Sequence, residues 1–533
     1  MPRFIKHISV NAFWKAILLL LGFIFIAALL YRHQISRIIF PSNDTPLINI
    51  FHDEVGDDAF YYLKIADNIL THSTSSFDGK SITNGYQPLW MLVLLGLGIA
   101  LPIKSSGFMI LLFSTIAMFS MIGSLLFFKL SGALFSKSSL IGTLIYFFGA
   151  LFLSKSGMEV GLLFVFLPLF LLLLFKVKEN PTLSNYFWLG FCTSLLLLSR
   201  LDIILFFTTM VICIAIFGFN IFTLSMGFTW KKAGAGFGGL IPFLGYLIFN
   251  FMAFGSVIPI SGRAKALRLV EGISQTGLLS LANKITHDKI ILLVTLVWVL
   301  SIPLAFIYIK KETVLLRRIT ITSVFLYPVL FYAYYLFVSD WPFWLWYYYP
   351  VFFAFSLGAL LYEDFVLKKI PVLRKNYTRV IAPIFLALLA TSTLIMLHAK
   401  PAEFIPNPLY DAALQIKGFS VKHPGVYAMG DRAGIVGFLL DSPVIQVEGI
   451  VGDEDLLDNI SSSRNLLDFL KERSVDYYIA TNPTKVGSCW SIEEPKIPGP
   501  AAPRMESQIC NDPVFTYTAK RDDVTTMVFE MEH

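Results

Sequence analysis

Residues 51–90, FHDEVGDDAFYYLKIADNILTHSTSSFDGKSITNGYQPLW, form the only long polar stretch in an otherwise apolar first half of the chain. Asp53, Glu54, Asp57 and Asp58 crowd its start. After them Ala59, Tyr62, Ile65, Ala66 and Ile69 recur at helical spacing, which predicts an amphipathic helix lying on a membrane with Asp57 and Asp58 at its N-terminus. The helix dipole keeps carboxylates there ionised. An ionised carboxylate beside an apolar surface can accept a hydroxyl proton or hold a divalent cation. A plain cap, with Asp57 as N-cap, accounts for the same residues. The stretch ends on Thr83–Trp90, where Asn-Gly favours a turn and Pro88 opens the next apolar run. Asn84, Tyr86 and Gln87 there are either an interfacial anchor or one wall of a substrate pocket.

The surroundings explain why such a loop stands out. Of 533 residues 56% are hydrophobic and only 15% charged, and mean hydropathy is +0.69. Soluble domains carry about 25% charged residues, so this is a polytopic α-helical membrane protein. The net charge of +6 suits basic loops that hold orientation and gives no footprint for nucleic acid. Apolar runs lie near 13–31, 88–103, 108–130, 139–153, 158–175, 185–199, 203–225, 235–254, 289–309, 317–337, 345–362 and 379–398. The first follows Arg3, Lys6, His7 and Lys15 and reads as an uncleaved signal anchor, which puts the N-terminus in the cytoplasm. Basic residues in 363–379 place that loop inside, so the last run delivers everything after 399 to the outside. Counting backwards puts the basic loops inside and the polar stretch, Ser156–Glu159, Arg200–Asp202, 255–288 and Asp340–Trp346 outside. A cytoplasmic N-terminus with an external C-terminus needs an odd number of crossings. The expectation is therefore 11 or 13, with 88–103 the suspect run because it is short and begins with Pro.

Several ionisable groups collect at the outer face: Glu159, Arg200 and Asp202, and Arg263 with Lys265 in the unexpectedly basic segment 255–288. Charges near membrane depth are costly, and serve either function or pairing. Arg200 and Asp202 read equally as a structural ion pair; Arg263 and Lys265 are candidates to neutralise a phosphate. In SDWPFWLWYYYP (339–350), Trp344 and Tyr348 represent either an aromatic belt or a stacking surface for a sugar or a polyprenyl tail. After 399 the pattern turns soluble. Strands are expected at 425–430, 444–449 and 475–480, helices from Ala433 and over 463–473, and a strand pair at VFTYTA and TTMVFEM. That alternation predicts a small α/β domain over 399–533, beside a transmembrane domain over 1–398 whose first external loop is 32–87. Cys489 and Cys510 flank its Pro-rich segment as a disulfide or as two thiols.

In order along the chain, DDAFYYLKIA (57–66), Thr83–Trp90, SGME (156–159), RLD (200–202), IPISGRAK (258–265), GDRAG (430–434) and QVEG (446–449) resemble the GT-C superfamily of integral-membrane glycosyltransferases. The last two are similar to the extracytoplasmic domain of bacterial mannosyl- and arabinofuranosyltransferase-like members. The resemblance implies transfer of a sugar from a polyprenyl-phosphate donor to an acceptor hydroxyl of a glycan, glycolipid or protein, on the outer face of a bacterial plasma membrane. It makes Asp58 the catalytic base, with Asp57 its neighbour, and Arg263 and Lys265 the phosphate grip. Tyr61, Asn84, Tyr86, Gln87, Glu159, Arg200, Asp202, Trp344 and Tyr348 would bind substrate. No cofactor is required, a divalent cation is optional and no protein metal site is expected. Trp-Trp-Asp of the oligosaccharyltransferase type is absent, and Gln87 stands where the aminoarabinose and protein-mannosyl transferases carry a basic residue. The competing readings are a transporter or flippase of a lipid-linked or anionic substrate, and a non-catalytic assembly protein. Charges clustered at one face, with no internal repeat, favour the transferase over the transporter.

Overall fold

The computed structural model of the chain describes residues 10–31, 47–53, 55–135, 139–369, 407–499, 501–519 and 524–532. The run 379–398, most of the basic loop 363–379, Arg3, Lys6, His7 and Glu54 lie outside them. Helices dominate up to 369: α1 (Val10–Leu30), α2 (Leu47–His52), α3 (Asp57–His72), α4 (Pro88–Ala100), α5 (Ser106–Phe135), α6 (Leu140–Ser154), α7 (Val160–Glu179), α8 (Leu183–Ser199), α9 (Ile204–Phe217), α10 (Phe219–Met226), α11 (Trp230–Gly239), α12 (Ile241–Phe254), α13 (Ile260–Lys265), α14 (Gln275–His287), α15 (Lys289–Lys311), α16 (Leu315–Val338) and α17 (Tyr349–Lys369).

Among the described residues five helical spans are long and apolar enough to cross a bilayer, or six if α11 and α12, bent by 53°, count as one. The chain is a multi-pass membrane protein. These described spans do not fix the expected 11 or 13 crossings, one of whose runs, 379–398, lies outside the described residues. Helix α4, at 13 residues, reaches about 20 Å at 1.5 Å per residue, short of a ~30 Å hydrocarbon core. The apolar run 203–225 is likewise broken by Gly218, at φ +110°, into α9 and α10. Hydropathy registers composition and not the breaks.

The C-terminal part opens with α18 (Pro408–Ser420) and carries β1 (Tyr427–Met429), α19 (Ala433–Leu439), β2 (Val444–Gln446), α20 (Glu454–Ser461), α21 (Leu466–Glu472) and β3 (Tyr477–Thr481). It ends with β4 (Thr484–Val486), β5 (Cys489–Glu494), β6 (Met505–Ile509), β7 (Phe515–Thr518) and β8 (Thr525–Glu530). One sheet has order β2-β1-β3-β8-β7, with β1 parallel to β2 and β3 and the β7–β8 hairpin antiparallel. Parallel neighbours need crossovers, which α19 and the α20–α21 pair supply. Strands β4-β5-β6 form a second, antiparallel sheet that the alternation reading missed, closed by the Cys489–Cys510 disulfide. One hydrophobic cluster runs without interruption from the membrane helices through Phe60 and Leu63 into Ile435, Phe438 and Val451. The two parts share a core.

That shared core corrects the picture of α3. The predicted apolar positions Ala59, Tyr62, Ile65 and Ala66 are buried, and so are Phe60, Tyr61 and Leu63. The helix is enclosed on both sides, membrane helices below and α19 packed against it above. Its N-cap is Gly56, and not Asp57.

Candidate active site

Three separate segments meet at the start of α3. Gly56 N–H donates to the Ser156 carbonyl (3.0 Å), and Trp90 Nε1 donates to the Gly157 carbonyl (3.1 Å). Gly157 sits at φ +89°, and a Cβ there would come within 3.1 Å of Ala59 Cβ, so the turn before Glu159 tolerates glycine alone. The Tyr62 hydroxyl accepts from Gln87 N–H (3.2 Å) and donates to Glu159 Oε2 (3.3 Å). These bonds surround a cavity of about 120 Å³. Asp58, Tyr61, Gln87, Glu159, Arg200, Asp202 and Lys265, all singled out from the sequence, line it.

Arg200 forms the floor. Its Nη1 donates to Glu159 Oε1 at 2.6 Å and its Nη2 to Asp202 Oδ2 at 2.7 Å, with side-chain exposures of 6%, 1% and 9% for the three residues. The Tyr335 and Tyr349 hydroxyls each donate to Asp202 at 3.1 Å, and the guanidinium stands 5.3 Å from the Tyr347 ring centroid. A buried charge is tolerable only when paired and hydrogen-bonded, and here every charge is. The ion pair is structural, and it faces the cavity.

Asp58 and Lys265 differ from this network. No hydrogen bond to the Asp58 carboxylate is made among the described residues. Burial, then the charges of Glu159 and Asp431, raise its pKa, against Lys265 and Arg200, which lower it. Burial works against the Lys265 ammonium, but Tyr347 and Asp58 outweigh it and its pKa lies above the ordinary lysine value. Lys265 Nζ donates to the Tyr347 hydroxyl at 3.2 Å and lies 5.8 Å from the Trp341 ring centroid. The cavity thus holds one hydrogen-bond-free carboxylate coupled to one ammonium that has no ion-pair partner among the described residues.

Other predicted residues stand elsewhere. Asp57 Oδ1 accepts Ile435 N–H (2.8 Å) and Oδ2 accepts Gly434 N–H (3.2 Å), tying α3 to α19. Burial nevertheless pushes its pKa to about 7. Asp53 takes the Asn407 N–H (2.5 Å). Asn84 is a brace: its Nδ2 donates to Asn250 Oδ1 (2.9 Å) and its Oδ1 accepts Ile260 N–H (2.8 Å). Tyr86 pairs with Ser75 at 2.9 Å, outside the cavity lining. Arg263 is bound by Glu454, with both side chains partly exposed, and does not line the cavity. Trp344 is 48% exposed and stacks on Trp346, while Tyr348 is packed against Tyr332. In their place Trp346 and Tyr347 line the cavity, because the segment Leu345–Tyr348 is a 3₁₀ turn whose phase the sequence does not announce.

Sequence reasoning also missed Tyr62, Tyr335, Ile450 and Val451. Tyr62 carried a signal, one helical turn beyond Asp58; the other three come from distant segments. Tyr61 is 2% exposed, and its hydroxyl has no hydrogen-bond partner among the described residues. Glu448 of the C-terminal part is buried, and burial with Asp431 and Glu494 holds its pKa well above the carboxylate range. Among the described residues no group of three or more His, Cys, Asp or Glu is arranged to hold a metal ion.

No protein-family model matches the sequence, and no curated protein matches it significantly. Among solved structures the chain is similar to the archaeal oligosaccharyltransferase AglB from Archaeoglobus fulgidus, determined in complex with an inhibitory peptide and a dolichol-phosphate. The TM-score is 0.52 and the identity 13%, over 88% of this chain and 69% of that one. At such identity the likeness speaks for architecture alone: this chain shares the fold of that protein.

Proposed function

We propose that the chain is a glycosyltransferase that moves a hexosyl or pentosyl group from a polyprenyl-phosphate donor to an acceptor hydroxyl on the outer face of a bacterial plasma membrane. The observation that carries this reading is the Asp58–Lys265 couple within one cavity of a fold shared with an oligosaccharyltransferase. Asp58 takes the proton of the acceptor hydroxyl as its oxygen attacks the anomeric carbon. The bond from that carbon to the phosphate oxygen breaks, and the electron pair leaves with the lipid phosphate. Attack from the face opposite the departing phosphate inverts the anomeric centre. The Lys265 ammonium meets the charge gathering on the phosphate, as a fixed cation stabilises charge that develops in a transition state. Arg200 serves as a fixed element of the wall, its charge committed to Glu159 and Asp202. Arg263, engaged by Glu454, stands outside the reaction. No step passes through a metal.

The motifs at 430–434 and 446–449 support a mannosyl- or arabinofuranosyltransferase-like branch, with a glycan, glycolipid or protein as acceptor. The test is transfer of radiolabelled sugar from synthetic polyprenyl-phosphate hexose and pentose donors by the full chain in proteoliposomes. Asp58→Asn is expected to lower kcat by about 10²-fold or more. Wild-type transfer is expected to fall with acid at a pH above the ordinary aspartate range, since burial raises the pKa of the base. Unchanged transfer by Asp58→Asn would sink the assignment.

A further inference from the structure

Asp57 stands beside the base in sequence and lines no part of the cavity. Both its carboxylate oxygens are engaged by backbone N–H groups of Gly434 and Ile435, the first turn of α19 in the C-terminal part. The approach is tight, since a Cβ on Gly434 would stand 2.3 Å from the Asp57 carbonyl oxygen. Two further ties flank this one: Asn407 holds both the side chain and the carbonyl of Asp53, and His52 lies between the rings of Phe60, Tyr410 and Phe438. The same C-terminal part lays Ile450 and Val451 over the cavity. The first turn of α3, which carries Asp58, is therefore gripped from above by a domain far along the chain. Its N-cap, Gly56, has no side chain to fix the turn from within.

We infer that Asp57 is a positioning residue: by capping α19 it locks the C-terminal domain onto α3 and so holds the neighbouring Asp58 in its reactive place. The inference rests on Asp58 being the base. It makes the C-terminal domain a component of the catalytic centre and separates the adjacent aspartates by role, one meeting substrate and one holding its partner.

The experiment uses the full chain in proteoliposomes, the same polyprenyl-phosphate donors, and amide hydrogen exchange at Gly434 and Ile435. Asp57→Ala is expected to lower kcat on the order of 10- to 100-fold, the scale of an ångström-sized misplacement, with KM for the donor within about twofold. Exchange at the two amides should accelerate in this variant and stay slow in Asp58→Asn. Asp57→Asn keeps an acceptor for Ile435 N–H and should recover most of the lost kcat. Gly434→Ala, which pushes the domains apart with both carboxylates intact, should reproduce the kcat loss. If Asp57→Ala keeps wild-type kcat while Asp58→Asn is inactive, the inference is overturned and the base assignment stands. It is equally overturned if Asp57→Asn and Asp57→Ala are both inactive with the two amides fully protected, since Asp57 would then act in the chemistry itself. Full activity of Asp58→Asn would remove the base assignment and this inference with it.

Discussion

At the scale of single residues, the cavity depends on one guanidinium holding two carboxylates. Removing Arg200 leaves Glu159, at 1% side-chain exposure, and Asp202, at 9%, without a countercharge. Breaking a buried pair costs about 3–5 kcal/mol, so Arg200→Ala is expected to lower the melting midpoint in detergent by many degrees, and Arg200→Lys by less, because an ammonium cannot fork to both partners. An unchanged midpoint would show the network to be dispensable. Much of this was legible in the sequence. Charged residues at the ends of apolar runs are few and must be paired or used, so Glu159, Arg200, Asp202 and Lys265 could be nominated one by one. Which were paired and which were free was not legible. That division rests on partners as distant as Tyr335 and Tyr349, and Arg263, a phosphate candidate alongside Lys265, is held by Glu454, 191 residues later.

At the scale of elements, the site depends on how loops are pinned to helices. Asn84 joins the polar loop to the end of α12 and the start of α13, since Asn250 also donates from Nδ2 to the Val257 carbonyl (3.1 Å). Helix α13 carries Lys265, and Pro259, Ser261 and Gly262 line the cavity beside it. Asn84→Ala strands a buried Ile260 N–H and the Asn250 carboxamide, at a cost of about 1–3 kcal/mol. The expected result is a lower kcat with a smaller change in donor KM, because the ammonium that meets the charge developing on the phosphate is displaced while Asp58 is not. An unchanged kcat would contradict this coupling. Asn84-Gly85 was readable as a turn, and the turn exists, yet its function as a brace depends on a helix end more than 160 positions away. The same limit explains why α3 read as a surface helix. Periodicity identifies the face that meets the membrane helices, and the second buried face comes from α19, which no local pattern near 60 can reveal.

At the scale of the whole molecule, the seating of the C-terminal domain on α2 and α3 involves two titrating groups of opposite sign. Burial, helped by the Lys417 charge, pushes the His52 imidazole down to about 4, from an ordinary 6.5. Its contribution to docking is present above pH 6.5 and is lost as pH falls toward 4. Burial raises the Asp57 carboxyl from 3.8 to about 7. Its contribution is present below pH 4 and is lost as pH rises through 7. Each group contributes a slope of about 1.4 kcal/mol per pH unit in its window, and between roughly pH 4.5 and 6.5 the two slopes oppose each other. Replacing His52 by Phe, which keeps an aromatic ring among Phe60, Tyr410 and Phe438, removes the rising slope. Docking in that variant should weaken steadily as pH climbs from 4.5 to 7, more steeply than in the wild type. Asp57→Asn removes the falling slope and should tilt the profile the other way by a similar amount. The measurement is exchange at the Gly434 and Ile435 amides across pH 4.5–7.5, corrected for intrinsic rates. Buried His52 has no hydrogen-bond partner at either nitrogen among the described residues, so its ring has nothing to stabilise a proton once seated. Parallel profiles in the two variants would mean that neither group titrates on docking, and that the shared apolar core alone holds the domain in place.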